Sequence, residues 1–443
     1  MAREWRTVRL GDVTDLLTGY PFTSEAYTED SSAPRLLRGD NVAQGVLRWD
    51  GVKRWPKYAT HDFEQYWLIE GDVILAMDRP WIEAGLKYAA VRRSDLPALL
   101  VQRVARLRGT DALDTNFLKY VIGSRAFTEH VLAVQTGTAV PHISGGQIRS
   151  FEFRLPPIRE QRAIAHILGT LDDKIDLNRR MNETLEAMAR AIFKSWFVDF
   201  DPVRAKAEGR DPGLPKHIAD LFPDRVEDSE LGEIPGEWEV GRLSDVTGFL
   251  GGYAFKSQDW REYGVPVVKI GSVQPGIVDL SAVSSVSDEV AEVAKRYRLR
   301  PGDLLIGMTG YVGEVGLVPL TDNPPLLNQR VGKFVLETAG TSAAAFLYCL
   351  TRRAEFKSEV ETKSHGTAQA NVSAEGILSI RIVVPPKTLR DKFNQIGRQF
   401  LDRILANHHE SYTLSALRDV LLPKLISGEL RLKDAEWFID RTV

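Results

Sequence analysis

The chain has 443 residues, 43% hydrophobic and 26% charged, and a formal net charge of −3. That is a globular composition long enough for two or three domains with real cores, and it excludes a strongly basic protein. Any nucleic-acid contact must therefore come from local positive charge. The single cysteine, Cys349, excludes an intramolecular disulfide framework and points to a reducing, cytoplasmic setting. The first residues lack the apolar core of a signal peptide, and no run approaches the ~18 apolar residues of a membrane span.

Read in chain order, the sequence is written twice. Trp5, Leu10, Asp12, Val13, Gly19, Tyr20, Phe22 and Ser24 recur as Trp238, Leu243, Asp245, Val246, Gly252, Tyr253, Phe255 and Ser257, at an offset of 233. Gly71-Asp72-Val73-Ile74-Leu75 answers to Gly302-Asp303-Leu304-Leu305-Ile306 at 231, and Gln102-Arg103-Val104 to Gln329-Arg330-Val331 at 227. Gly137-Thr138-Ala139 and Pro156-Pro157 answer to Gly366-Thr367-Ala368 and Pro385-Pro386 at 229. Eight identities at one spacing in a short window indicate duplication, and the drift in offset is what loop insertions produce. In each half, short β-rich runs between Gly-, Asp- and Asn-bearing turns, with a helical stretch near Asn116 to Val134 in the first, predict a mixed α/β domain.

Each domain is followed by a long helical pattern. Ile164, Leu168, Leu171, Ile175, Leu185, Ala189, Ile192 and Trp196 recur in steps near the 3.5-residue period of a coiled-coil seam. Pro156 and Pro157 set the start, predicting a helix from Glu160 to Phe197 of about 57 Å. A second helix over Leu389 to Ile426 has Phe393, Phe400, Ile404, Leu414, Leu421 and Leu425 near its seam. The predicted architecture is two repeated mixed α/β domains, 1–157 and 238–386, separated by a pair of long antiparallel coiled-coil helices, 158–199 and 387–428, with pseudo-two-fold symmetry. Between them, 200–237 is expected as an extended, proline-rich linker, and 429–443 as a tail. Asn178 and Asn407, polar residues at equivalent seam positions near the helix centres, are expected to meet amide to amide and fix register, with solvent or a partner as the competing environment.

These residues resemble the specificity subunits of type I restriction–modification systems. The markers are Pro156-Pro157-x-x-Glu160-Gln161, then Leu171-Asp172-x-Lys174-Ile175-x-Leu177-Asn178-Arg179, the run Phe193 to Lys206, and Leu231-Gly-Glu-Ile-Pro235 before Trp238. The second copy departs from the pattern, since Lys387-Thr-Leu-Arg-Asp follows Pro386 without the Glu-Gln pair. The resemblance implies a non-catalytic chain with two target-recognition domains, each reading one half of a split site in double-stranded DNA. It implies helices that act as spacer and as docking surface for two methyltransferase (modification) subunits, with restriction subunits in the same complex. S-adenosylmethionine, ATP and Mg are then expected on partner subunits, with no cofactor on this chain.

Catalytic signals are thin. Asn323-Pro324-Pro325-Leu326 approaches the adenine-methyltransferase loop but lacks the aromatic residue that stacks on a flipped base. No G-x-x-x-x-G-K-[ST] occurs, and the histidines form no ligand-spaced cluster. Two rivals stand beside the reader: a self-contained methyltransferase using the Asn323 loop, and a coiled-coil adaptor with no role on DNA.

Candidate DNA-binding residues sit in the repeated loops. Arg38 and Asn41 offer the groups suited to guanine and adenine edges, and Arg79 and Trp81 follow the strand after Gly71-Asp72. Gln102, Arg103, Gln329 and Arg330 either read bases or, for the arginines, pair with a nearby acid. Thr138 and His142, with Thr367, Gln369 and Asn371, lie in small polar loops suited to phosphate or groove contact. Tyr20 and Tyr253 follow a glycine, where core packing competes with base stacking, and Lys269 is a further basic candidate in the second domain.

Overall fold

The computed structural model describes residues 5–137, 139–336, 340–342, 344–364 and 370–430. The chain divides into two compact units, residues 1–174 with 414–443 and residues 175–413. Two long helices, Ile158–Phe197 and Lys387–Ser427, each contribute to both units.

In the first unit, a four-stranded antiparallel sheet has the order Thr14–Thr18, Val104–Gly109, Val73–Ala76, Tyr88–Ala90. Val73 to Ala76 is buried throughout, which is why it reads as an unbroken apolar run rather than an alternating one. Gly71 turns the chain into it at φ 89°, and the Asp72 carboxylate accepts from Ile69 N and pairs with Arg108. Arg35–Leu37 runs parallel to Ala98–Leu100, and Arg6–Arg9 closes against Glu152–Leu155. The predicted helical stretch is two helices, Thr115–Ile122 and Arg125–Val134, parted at Gly123 and Ser124.

The second unit repeats this plan. Gly248–Gly251, Val331–Val335, Leu304–Gly307 and Val315–Leu317 follow one another in the same order, with Gly276–Ile277 added at the edge. Val265–Val268 pairs in parallel with Leu326–Leu327, and Glu239–Arg242 closes against Arg381–Val384. A Cβ on Gly19 would lie 2.2 Å from Val101 O, and one on Gly252 2.1 Å from Asn328 O. That close approach of two backbones accounts for the repeated glycine.

Both long helices begin directly after their proline pairs, two residues before the predicted starts, because Pro157 O and Pro386 O accept the first turn's N–H groups. At the first start Glu160 Oε2 accepts from Trp5 Nε1 at 2.8 Å. Gln161, fully buried, accepts from Asp114 N and donates to Ala112 O and Pro156 O. The Glu-Gln pair thus ties the helix to the domain that precedes it. In the second repeat Leu389 stands at the Glu160 position, and Trp238 Nε1 is buried without an acceptor.

Within the second unit the helices run antiparallel: Asn178 lies against residues 407 to 411, and Asn182 against 404 to 407. Asn178 and Asn407 are 0% and 1% exposed. Their amides do not pair with each other as expected. Asn407 Nδ2 donates to Asn182 Oδ1 at 2.8 Å, while Asn178 Nδ2 donates to Glu410 Oε2 at 2.8 Å and lies 3.3 Å from Ser411 Oγ. Asn178 Oδ1 is left without a partner. Asn178 Nδ2 also lies 3.4 Å from the backbone Asn407 O, so the two residues do meet, but not amide to amide.

The expected extended linker is instead folded. Asp201–Ala207 and Lys216–Ala219 are helices, and Val226–Ser229 pairs with Gly232–Pro235 in a hairpin. Phe200, Val203, Ile218, Phe222 and Ile234 enter the core that also holds Phe193, Trp196, Phe197, Trp238, Phe346 and Phe393. Prolines suggested an open chain, yet Pro202 sits in a first helical turn, where its missing N–H costs nothing. Each buried aromatic contributes roughly 1.5–3 kcal/mol, enough to order the segment.

Candidate nucleic-acid interface

In the first unit, four loops converge at the ends of the central strands. Met77 N donates to Arg103 O, Ile143 N to Met77 O, and Arg79 N to Pro141 O. Gln102 N donates to Tyr20 O, and Tyr20 N to Leu100 O. The second unit repeats the scheme bond for bond: Met308 N to Arg330 O, Val372 N to Met308 O, Gly310 N to Ala370 O, Gln329 N to Tyr253 O and Tyr253 N to Leu327 O. Backbone pairing therefore brings Tyr20, Arg79, Gln102, Arg103 and His142 together in one domain, and Tyr253, Gln329, Arg330 and Asn371 in the other.

Tyr, Gln and Arg are shared at three of these matched positions, whereas Asp78, Arg79 and His142 are replaced by Thr309, Gly310 and Asn371. Asp78 is the hub of the first cluster: Arg103 Nη1 donates to its Oδ2 at 2.6 Å, and His142 Nδ1 lies 2.6 Å from its Oδ1. Burial pushes the Asp78 carboxyl up, but the hydrogen bonds from Arg103 and His142 outweigh it and hold the group below the usual carboxylate range. In the second cluster the hub is neutral, Thr309 Oγ1 donating to Asn371 Oδ1 at 2.7 Å. Arg103 lies in a turn at φ 65°, directly before the strand Val104–Gly109, and Arg79 has φ 44°. The position matching Arg79 is Gly310, at φ 74°. Non-glycine residues in this region cost of order 1–3 kcal/mol, and such strain gathers at functional sites.

Around this centre, Tyr20 is 37% exposed and caps an aromatic cluster with Phe22, Phe63 and Tyr66; Tyr253 packs likewise on Phe255 and Tyr297. Phe22 and Phe255 are core, while Phe63 and the tyrosines are the partly open rim. Trp81 is exposed on a short hairpin, Trp81–Ile82 with Gly85–Leu86. Arg38 is exposed and 3.7 Å from Asp40. Asn41 is buried, its amide engaged by Arg38 N and Arg48 O, so it builds the turn that presents Arg38 rather than reaching outward. Lys269, at the position matching Arg38, donates to Ser284 Oγ and lies 3.8 Å from the Trp260 ring centroid; burial lowers its pKa. Gln102, Gln329, Arg330 and Asn371 are exposed. Thr138, Thr367 and Gln369 lie outside the described residues.

Sequence reading missed Asp78, Thr309 and Lys87 as members of the cluster. Lys87 N donates to Pro80 O, and burial, helped by the Arg79 charge, depresses its ammonium pKa against the opposing pull of Asp40 and Asp78. The offset of 231, which maps Asp78 onto Thr309, was the available signal.

Residues 2–187 and 235–408, one stretch in each half, match the type I restriction modification DNA specificity domain. The chain belongs to this family. It is 28% identical over 363 residues to the type I restriction enzyme HindI specificity subunit of Haemophilus influenzae, covering 71% of this chain and 77% of that one. It is 24% identical over 415 residues to the MjaIX specificity subunit of Methanocaldococcus jannaschii, covering 90% and 84%. In fold it is similar to the crystal structure of the type I restriction–modification S subunit from M. genitalium, with a TM-score of 0.58 at 16% identity, over 95% of this chain and 96% of that one. Among the described residues no helix is long and apolar enough to cross a membrane.

Proposed function

We propose that this specificity-family chain is a non-catalytic reader of a bipartite DNA site, each domain recognising one half through its loop cluster. The observation that carries the reading is the duplicated backbone scheme, which keeps Arg103 and Arg330 at one matched position but surrounds them with different side chains: Asp78, Arg79 and His142 in one domain, Thr309, Gly310 and Asn371 in the other. One scaffold with variable loop chemistry is what two readers of different half-sites require.

The long helices act as spacer and as docking surface for methyltransferase subunits. Leu177, Met188 and Tyr412 support this, being large apolar side chains left exposed along the helices of the second unit. S-adenosylmethionine, ATP and Mg belong to the partner subunits in this reading, with restriction subunits completing the complex. Against a methyltransferase site at Asn323, the amide of that residue donates to Gly264 O at 3.2 Å within the turn that leads to Leu326–Leu327.

The test is binding by the purified chain, alone and with its modification subunit. The expected result is no S-adenosylmethionine binding by the isolated chain, and DNA binding at low salt by the complex. Methyl-donor binding by the chain alone would favour the enzyme reading, and absence of DNA affinity in the complex would favour the adaptor.

A further inference from the structure

We propose that Asp78 is a positioning residue that converts Arg103 into a guanine-reading side chain, and that the matched Arg330 of the second domain contacts phosphate instead. This rests on the DNA-reading function proposed above and assigns different chemistry to the same loop position in the two halves.

Asp78 takes one guanidinium nitrogen of Arg103 at 2.6 Å, while the Arg103 side chain remains 67% exposed. A guanidinium held by one edge keeps its other N–H groups in a fixed fork, the arrangement that matches O6 and N7 of guanine in the major groove. His142 holds the other oxygen of Asp78, and Arg79 N and His142 N tie the loops to Pro141 O and Thr136 O. The carboxylate is thereby fixed from both sides, and the Arg103 backbone is fixed in the left-handed region.

A carboxylate directly behind Arg103 offsets its charge, so the side chain gains little from a phosphate and more from directed hydrogen bonds to a neutral base edge. Arg330 has the converse setting. Its backbone makes the same bond to Met308 N, but Thr309 stands where Asp78 does, and among the described residues no carboxylate pairs with it. An exposed arginine carrying its full charge is suited to phosphate.

Arg79 adopts the left-handed conformation that its counterpart, Gly310, adopts without cost. The arginine is held there by its N–H bond to Pro141 O, against its own preference, and it sets a second cation next to Asp78.

The experiment compares Asp78→Asn, Arg103→Ala and Arg330→Ala in the full chain, co-expressed with its modification subunit. Methylome sequencing of the host gives the recognised motif, and salt titrations on a duplex carrying that motif give the dependence of affinity on ionic strength. Asp78→Asn and Arg103→Ala are expected to relax one position, a guanine in the wild-type motif, in one half only. Discrimination there should fall on the order of tenfold or more. The unchanged other half shows that the variants fold. Arg330→Ala should keep the motif, weaken binding to all sequences alike and reduce the salt slope by about one. A motif unaltered by Asp78→Asn together with a lower salt slope for Arg103→Ala would overturn the assignment while leaving DNA reading intact. Loss of position specificity with Arg330→Ala would overturn its second half. If the wild-type complex yields no motif and no DNA affinity, it is the underlying reading that fails.

Discussion

Asp172 shows how one side chain of a family motif earns its place. It receives Lys119 Nζ, Tyr120 Oη at 2.9 Å and Arg418 Nη1 at 3.0 Å, joining a domain helix and both long helices of the first unit. Burial pushes its carboxyl up, and Lys119, Arg418 and Tyr120 more than reverse this, so the group lies below its ordinary value of 3.8. A depressed pKa contributes stability that is present above the unfolded value and is lost as pH falls through the folded one. Asp172→Asn should therefore cost about 3 kcal/mol near neutrality, the scale for breaking a buried pair. The gap from wild type should narrow below about pH 3.8, as denaturation at a series of pH values would register. A second residue-level expectation concerns the missing Glu-Gln pair of the second repeat. Glu160→Leu copies that repeat into the first, deprives Trp5 Nε1 of its acceptor and should lower stability by about 1 kcal/mol in the same assay. Candidate site residues were only partly legible at this scale. Arg103 was visible as a cation in a repeated loop, but its acid, 25 residues earlier, is brought to it by strand pairing that no local pattern reports.

At the scale of elements, the long helices were legible because their seam repeats for many turns and proline pairs mark both starts. The centre was less so. Side-chain geometry, not spacing, decides that Asn407 meets Asn182 while Asn178 turns to Glu410 and leaves its carbonyl oxygen unpaired. Replacing Asn178 and Asn407 together with Leu should raise the unfolding temperature, since a seam Asn secures register at the expense of stability. If the helices space the two readers, the same double variant should accept a wider range of gaps between half-sites. An unchanged gap preference in its methylated motif would show that register is set elsewhere. The linker was illegible for a different reason. Its apolar residues follow no helical or strand period, and only the aromatic cluster of Phe193, Trp196, Phe197 and Trp238 gives Phe200 and Phe222 somewhere to go.

For the whole molecule, the duplication was the most readable feature, because eight identities at one offset need no structure to be seen. The structure adds that the repeat extends to the hydrogen bonds of the loops, where the sequences have diverged to Asp78 against Thr309 and Arg79 against Gly310. Shared backbone with divergent side chains supports the proposed pair of readers on one plan, each independent of the other. That independence is tested most directly by methylome sequencing of a host that expresses this chain with its modification subunit, beside one in which residues 1–157 come from a relative of different specificity. The account predicts a split, adenine-methylated motif in which the exchange alters one half and leaves the other half intact. A motif that changes in both halves, or a single undivided motif, would contradict it.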